Sequence, residues 1–229
     1  MQKDRQAVFA ACATLIISGL YERRALAEDL PANVPAQIRT AWAQARKTWK
    51  IDAQFVSLDL ERGSAKEAFQ ADYAFRSNSD GRLYHIKSGP KGSSAALDQR
   101  AHFAWGLTSK VIDPVRAASV ARAHGMKGNV LSAVLQYWTD PQTAGHPTTG
   151  TAQEIPIGMG VEVWRLAPDN DPNLADPNDP NMKNYYIDAM TGGYYDAGRL
   201  NPAEFIRNSM AYQSAAGAEL MEGIRSAGH

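Results

Sequence analysis

Apolar side chains recur along this 229-residue chain in two periods. From Pro31 to Trp49 the spacing is helical. Val34, Ile38, Ala41, Trp42, Ala45 and Trp49 fall three or four residues apart on one face, with Asn33 placed to cap. The period then drops to two. Val56, Leu58 and Leu60 alternate with Ser57 and Asp59, and Phe69, Ala71, Tyr73 and Phe75 alternate with Gln70, Asp72 and Arg76. Leu83 to Ile86 follows the turn Asn78-Ser79-Asp80-Gly81. Such alternation between turn residues predicts antiparallel hairpins with one wet face.

Ser88 to Ser94 has linker composition, and Ala95 to Trp105 reads as a short helix. Asp113-Pro114 then starts a helix with a cap residue and proline at the first helical position. Val115, Ala118 and Ala121 face inward, and Gly125 ends the helix after His124. Strands are expected over Val130 to Trp138, Gly160 to Leu166 and Asn184 to Asp188. Asn201-Pro202-Ala203-Glu204 opens a tail helix with a reciprocal cap, and Phe205, Ile206, Met210, Leu220 and Ile224 give it an apolar stripe. Two stretches resist regular structure: Thr139 to Pro156, and Asp169 to Asn184 with three Asp-Pro-Asn triplets.

The order helix, strand, strand, strand thus occurs twice. The expected fold is α+β, two helix-plus-antiparallel-sheet units with helices gathered on one face. The units span 28–90 and 113–200, joined by a linker with a short helix over 91–112 and followed by a C-terminal helix over 201–229.

Composition narrows the class. Twenty-four basic against 24 acidic residues, with no basic block, argue against nucleic acid as a partner. One cysteine rules out a disulfide scaffold. Residues 1–27 have the order of a secretory signal: Lys3 and Arg5, an uncharged run from Ala7 to Tyr21, and Ala25-Leu26-Ala27. That run is shorter than the roughly 20 residues a bilayer-spanning helix needs. The expectation is a periplasmic protein with no stable membrane span once the signal is removed. Glu22-Arg23-Arg24 beside the cleavage site leaves retention as an anchor open.

Tyr185-Tyr186-Ile187-Asp188-Ala189-Met190-Thr191-Gly192 resembles the closing hairpin of PepSY domains. In it Asp188 can accept from turn amides, and Gly192 supplies the positive φ of the reversal. Ala117, Ala121 and Gly125 ahead of paired strands fit the same pattern. The resemblance covers Asp113 to Asp196, and loops 139–156 and 169–184 are longer than such domains carry. It implies a PepSY/cystatin-like sheet and an extracytoplasmic, non-catalytic binding or peptidase-inhibitor-like module.

Candidate chemistry is sparse. His85, His102, His124, His146 and His229 form no helical His-x-x-x-His pair, and no Gly-x-Ser-x-Gly elbow exists. Asp169, Asp171 and Asn173 have calcium-like spacing, but Leu174 and Pro180 stand where such a loop needs glycine and glutamate. No metal site or cofactor is expected.

Trp138, Trp164, Tyr185, Tyr186 and Tyr194 crowd the second unit, more than a one-sided core requires. Either they bind a protein or peptide partner in the envelope, or other elements cover them. Two rival readings remain: a hydrolase using Asp72, Glu162, His85 or Asp188, and a structural component of an envelope assembly.

Overall fold

A computed structural model describes residues 30–101, 105–139, 160–169, 184–196 and 202–227. Helix α1 (Val34–Thr48) precedes β1 (Gln54–Glu61), β2 (Gln70–Arg76), β3 (Arg82–Gly89) and β4 (Gly92–Ala101). Helix α2 (Pro114–Ala123) precedes β5 (Val130–Thr139), β6 (Gly160–Pro168), β7 (Tyr185–Asp188) and β8 (Tyr194–Tyr195), and α3 (Pro202–Ala227) follows. The fold is α+β, as the alternation of periods predicts. The expected signal segment, 1–27, and most of the two proline-rich loops lie outside the described residues.

The eight strands form one antiparallel sheet in the order β4-β3-β2-β1-β5-β6-β7-β8. The two helix-plus-sheet units share this one continuous sheet. Each half contributes a helix and four strands, and the halves join where β1 pairs with β5, Leu58 opposite Leu135 and Leu60 opposite Ala133. These four side chains are fully buried, so the seam is core and not a linker-separated contact.

Where the sequence predicts a short helix over 95–105, residues 95–101 belong to a strand instead, and 102–104 lie outside the described residues. Ser88 to Ser94 is no linker either: Gly89 pairs with Gly92 around a tight reversal at Pro90-Lys91, and β4 runs back along β3. Alanine-rich composition favours helix locally, but a ladder partner already in place outweighs that preference.

The main core lies between the sheet and α1 with α2. Helix α1 buries the predicted Val34, Ile38, Ala41, Trp42 and Ala45, and the Trp42 indole N–H donates to the Ala53 carbonyl at 2.6 Å. Helix α2 presents Ala117, Ala118 and Ala121, small residues that let it approach Trp164 and Ile187 closely. The main chain at Asn33 is left-handed (φ 61°), and its side chain makes no capping bond, contrary to the reading of Asn33 as a cap.

Helix α3 departs from the one-face expectation. Its first turn places Phe205 with Trp138, Val161, Val163 and Tyr195 on the reverse of the sheet, whereas Tyr212 lies in the main core. The helix thus passes round the end of the β5–β6 hairpin and covers the reverse face of the second half. The reverse face of the first half has no helix over it among the described residues.

Candidate functional site

Strand register arranges one row of side chains across this reverse face. Ser94 stands opposite Lys87, Lys87 opposite Asp72, and Asp72 opposite Asp59. The row continues through Val134, Arg165, Tyr186 and Tyr195. It changes from charged to aromatic midway, at the point where α3 begins to cover the sheet. A groove of ≈ 780 Å³ lies over the charged part, lined by Asp59, Asp72, Lys87 and Arg165 and by the β3–β4 reversal.

Two carboxylates directly opposite one another repel, so compensating cations are required. His85 Nδ1 lies 2.9 Å from one oxygen of Asp72, and Lys87 Nζ lies 3.2 Å from the other. Burial pushes the Asp72 carboxyl up, but these two partners outweigh it and hold it below its ordinary value. Asp59 has no such grip. Burial, then the charges of Glu61 and Asp72, push its carboxyl up, and Arg165 and His85 only partly offset this. The hydrogen bond to Asp72 raises the His85 imidazole against the opposing effect of burial.

Beside the charged row runs β4, the terminal strand of the sheet. It is ten residues long, and among the described residues no strand pairs with its outer edge. Gly92 to Ala96 are small and exposed. Long free edges invite another strand to pair.

The aromatic candidates do not form an exposed strip. Trp164 is 0% exposed beneath α2, its indole N–H donating to the Ile112 carbonyl at 3.0 Å. Tyr185 is buried in the same core. Trp138 is buried on the opposite face against Phe205, with Tyr186 stacked on it at 4.9 Å. Tyr194 is half-buried and stacks on His124 at 4.1 Å. The surplus of aromatics reflects two cores on opposite faces, because α3 supplies the second cover.

The hydrolase candidates separate. Asp72 and His85 come together, but Glu162 is on the helix-covered face, fully buried. There burial drives the Glu162 carboxyl well up; Oε2 accepts a long hydrogen bond from the Thr108 N–H, 3.4 Å, and Oε1 has no partner. Asp188 is a turn residue, as its spacing implied. Its Oδ1 accepts from the amides of Met190 and Thr191 at 2.9 and 2.7 Å, and its Oδ2 accepts from the Tyr195 hydroxyl at 2.5 Å. Gly192 has φ +83°, the conformation its position required. Asp169 binds Asn129 through both carboxylate oxygens, and the rest of the calcium-like loop lies outside the described residues. Among the described residues no group of three His, Cys, Asp or Glu could hold a metal ion, and no helix is long and apolar enough to cross a membrane.

Asp59, Lys87 and Arg165 were absent from the sequence-based candidates. Alternation alone places each on the wet face, but only the strand order and register align them.

No family model matches the chain, and no curated protein matches it. A solved structure from Clostridium difficile 630, described as a "putative lipoprotein", is similar over 75% of this chain and 95% of its own, at 15% identity and a TM-score of 0.43.

Proposed function

We propose that the chain is an exported, non-catalytic binding protein that takes up an extended segment of a protein or peptide partner along β4. The observation carrying this is the outer edge of β4, ten residues long, rich in small side chains and paired with no strand among the described residues. A strand added there gains main-chain hydrogen bonds for affinity, while alternate side chains fall over the charged row for selectivity. Asp72, His85 and Lys87 then favour partner residues of complementary charge. The basic start, uncharged run and small-residue exit of residues 1–27 support export, and the Tyr185–Gly192 hairpin supports a PepSY-like, inhibitor-type role.

The test begins with peptides selected from a displayed random library by the purified chain. Amide hydrogen exchange in the complex is expected to slow across β4. Of Ala95→Pro and Ala96→Pro, one removes an amide facing the free edge and abolishes binding with the fold intact; the other breaks the ladder to β3. Protection confined to another surface would sink the proposal.

A hydrolytic reading rests on a different observation, the Asp59–Asp72 pair whose protonation tendencies diverge, the usual mark of an acid and a base in one site. Hydrolysis of a substrate panel by the chain, lost in both Asp59→Asn and Asp72→Asn, would favour it over simple binding.

A further inference from the structure

A second groove, ≈ 810 Å³, lies on the opposite side of the molecule between α1 and the C-terminal half of α3. That volume is in the range that holds a small organic ligand. Its floor is apolar, made by Trp42 and Ala43, and Ile51 stands half exposed at its margin. Arg39, Arg46, Lys47 and Lys110 surround that floor.

The acidic side of the groove offsets these cations only in part, the charge of Glu219 acting on Arg46. The hydrogen bonds of Glu219 are made elsewhere: one oxygen accepts from the Ser109 N–H at 2.7 Å and the Thr108 hydroxyl at 2.5 Å, and the other accepts from the Ser109 hydroxyl. Glu222 is the remaining carboxylate of the lining. Four basic groups therefore face two carboxylates, an excess of positive charge in a chain whose formal charge is zero.

Arg46 carries the strongest signal. Its guanidinium carbon lies 4.3 Å from the centre of the Trp42 ring, held against the indole face. Gly223 of α3 presses on it so closely that a β-carbon at 223 would overlap the guanidinium. Yet Nε and one terminal nitrogen are buried with no hydrogen-bond partner. Arg46 as a whole is only half-buried, so part of its planar guanidinium still faces the groove. An anion entering the groove meets that open part together with the charges of Arg39 and Lys110.

We infer that this groove binds a small amphipathic carboxylate, its head on Arg46, Arg39 and Lys110 and its apolar body along Trp42 and Ile51. The site is independent of β4 and the charged row, which lie on the far side of the sheet. Fork geometry favours a carboxylate, since two oxygens can meet two parallel N–H groups.

Calorimetric titration of the purified chain tests it with three probes of equal chain length, each below its micelle-forming concentration: decanoate, decan-1-ol and decyltrimethylammonium. Decanoate is expected to bind once per chain, at least tenfold tighter than the alcohol, with no heat from the cation. Arg39→Ala with Lys110→Ala, two substitutions remote from the core, should weaken decanoate at least tenfold and leave unfolding unchanged. Arg46→Lys, which keeps the charge but loses the fork, should weaken it as well. No heat with decanoate, equal binding of the alcohol, or an unaffected double variant would each overturn the assignment.

Discussion

Asp113 stands at the N-cap of α2, but its Oδ2 accepts a hydrogen bond from the backbone N–H of Asn33, at the start of α1, at 2.7 Å. Residues 80 apart in sequence thus share one carboxylate: it bonds the start of α1 and makes no capping bond to α2, contrary to the reading of Asp113 as the cap of its own helix. Negative charge is favourable at the positive end of a helix, and here two ends share it.

Removing that carboxylate should be felt by both helices. Asp113→Ala is expected to lower stability by about 1–2 kcal/mol, the scale of a lost cap, read from the urea midpoint at constant slope. The left-handed backbone at Asn33 adds a control. Asn33→Gly should be nearly neutral, while Asn33→Val should lose about 1–2 kcal/mol because a branched side chain resists positive φ.

Glu162 makes stability fall as pH rises. Its folded-state carboxyl holds a proton that the unfolded chain releases near the ordinary value of 4.5, so its stabilising contribution is complete in acid and lost at higher pH. Glu162→Gln, which keeps the shape without a charge, should raise stability at pH 8 by about 1–3 kcal/mol and change little at pH 4. Equal gains at both pH values would contradict this.

The Asp72–His85 pair acts at both limits. Asp72 is held below 3.8, so its contribution is present above that ordinary value and fades as pH falls through the lowered one. His85 is held above 6.5, so its contribution is complete below that value and fades as pH rises through the raised one. The pair therefore supports the fold between about pH 4 and 6.5. A double-mutant cycle of Asp72→Asn and His85→Ala should give a coupling of about 0.5–1 kcal/mol at pH 5.5, shrinking at pH 9.

Trp164 and Tyr186 should part company on truncation. Trp164→Ala empties a site sealed by α2 and strands an Ile112 carbonyl, and is expected to cost about 3–5 kcal/mol. Tyr186→Ala, at a half-buried position on the other face, should cost less than half of that. Similar losses of denaturation midpoint for the two would argue against the two-core arrangement.

Element types were largely legible because their periods are clean. Val34 to Trp49 could not satisfy a strand, nor could Phe69 to Phe75 satisfy a helix. Asp113-Pro114 and Gly125 marked the bounds of α2 through chemistry that acts within a few residues, and Asp188 and Gly192 announced their turn in the same way. The misreadings share another cause. Strand β4 borrows its conformation from β3, so its own Ala95 and Ala96 point to the wrong element. The charged row needed Asp59 and Asp72 to meet across strands, a fact held in register and invisible to alternation. The second core escaped notice because Phe205 reaches the reverse face only through the path of α3. The Arg46 groove likewise depends on two helices whose first residues lie 168 apart, Val34 and Pro202.

The pairing of β1 with β5 has a mechanical corollary. Strand pairing runs unbroken from one edge of the sheet to the other, so among the described residues the halves are joined by a ladder and not by a flexible joint. A fragment ending before Asp113 would bare a second raw border lined with Leu58 and Leu60, and should clump in solution before it could serve as an independent module. A partner that took up the outer edge of β4 would thereby extend a ladder that already ties both halves together.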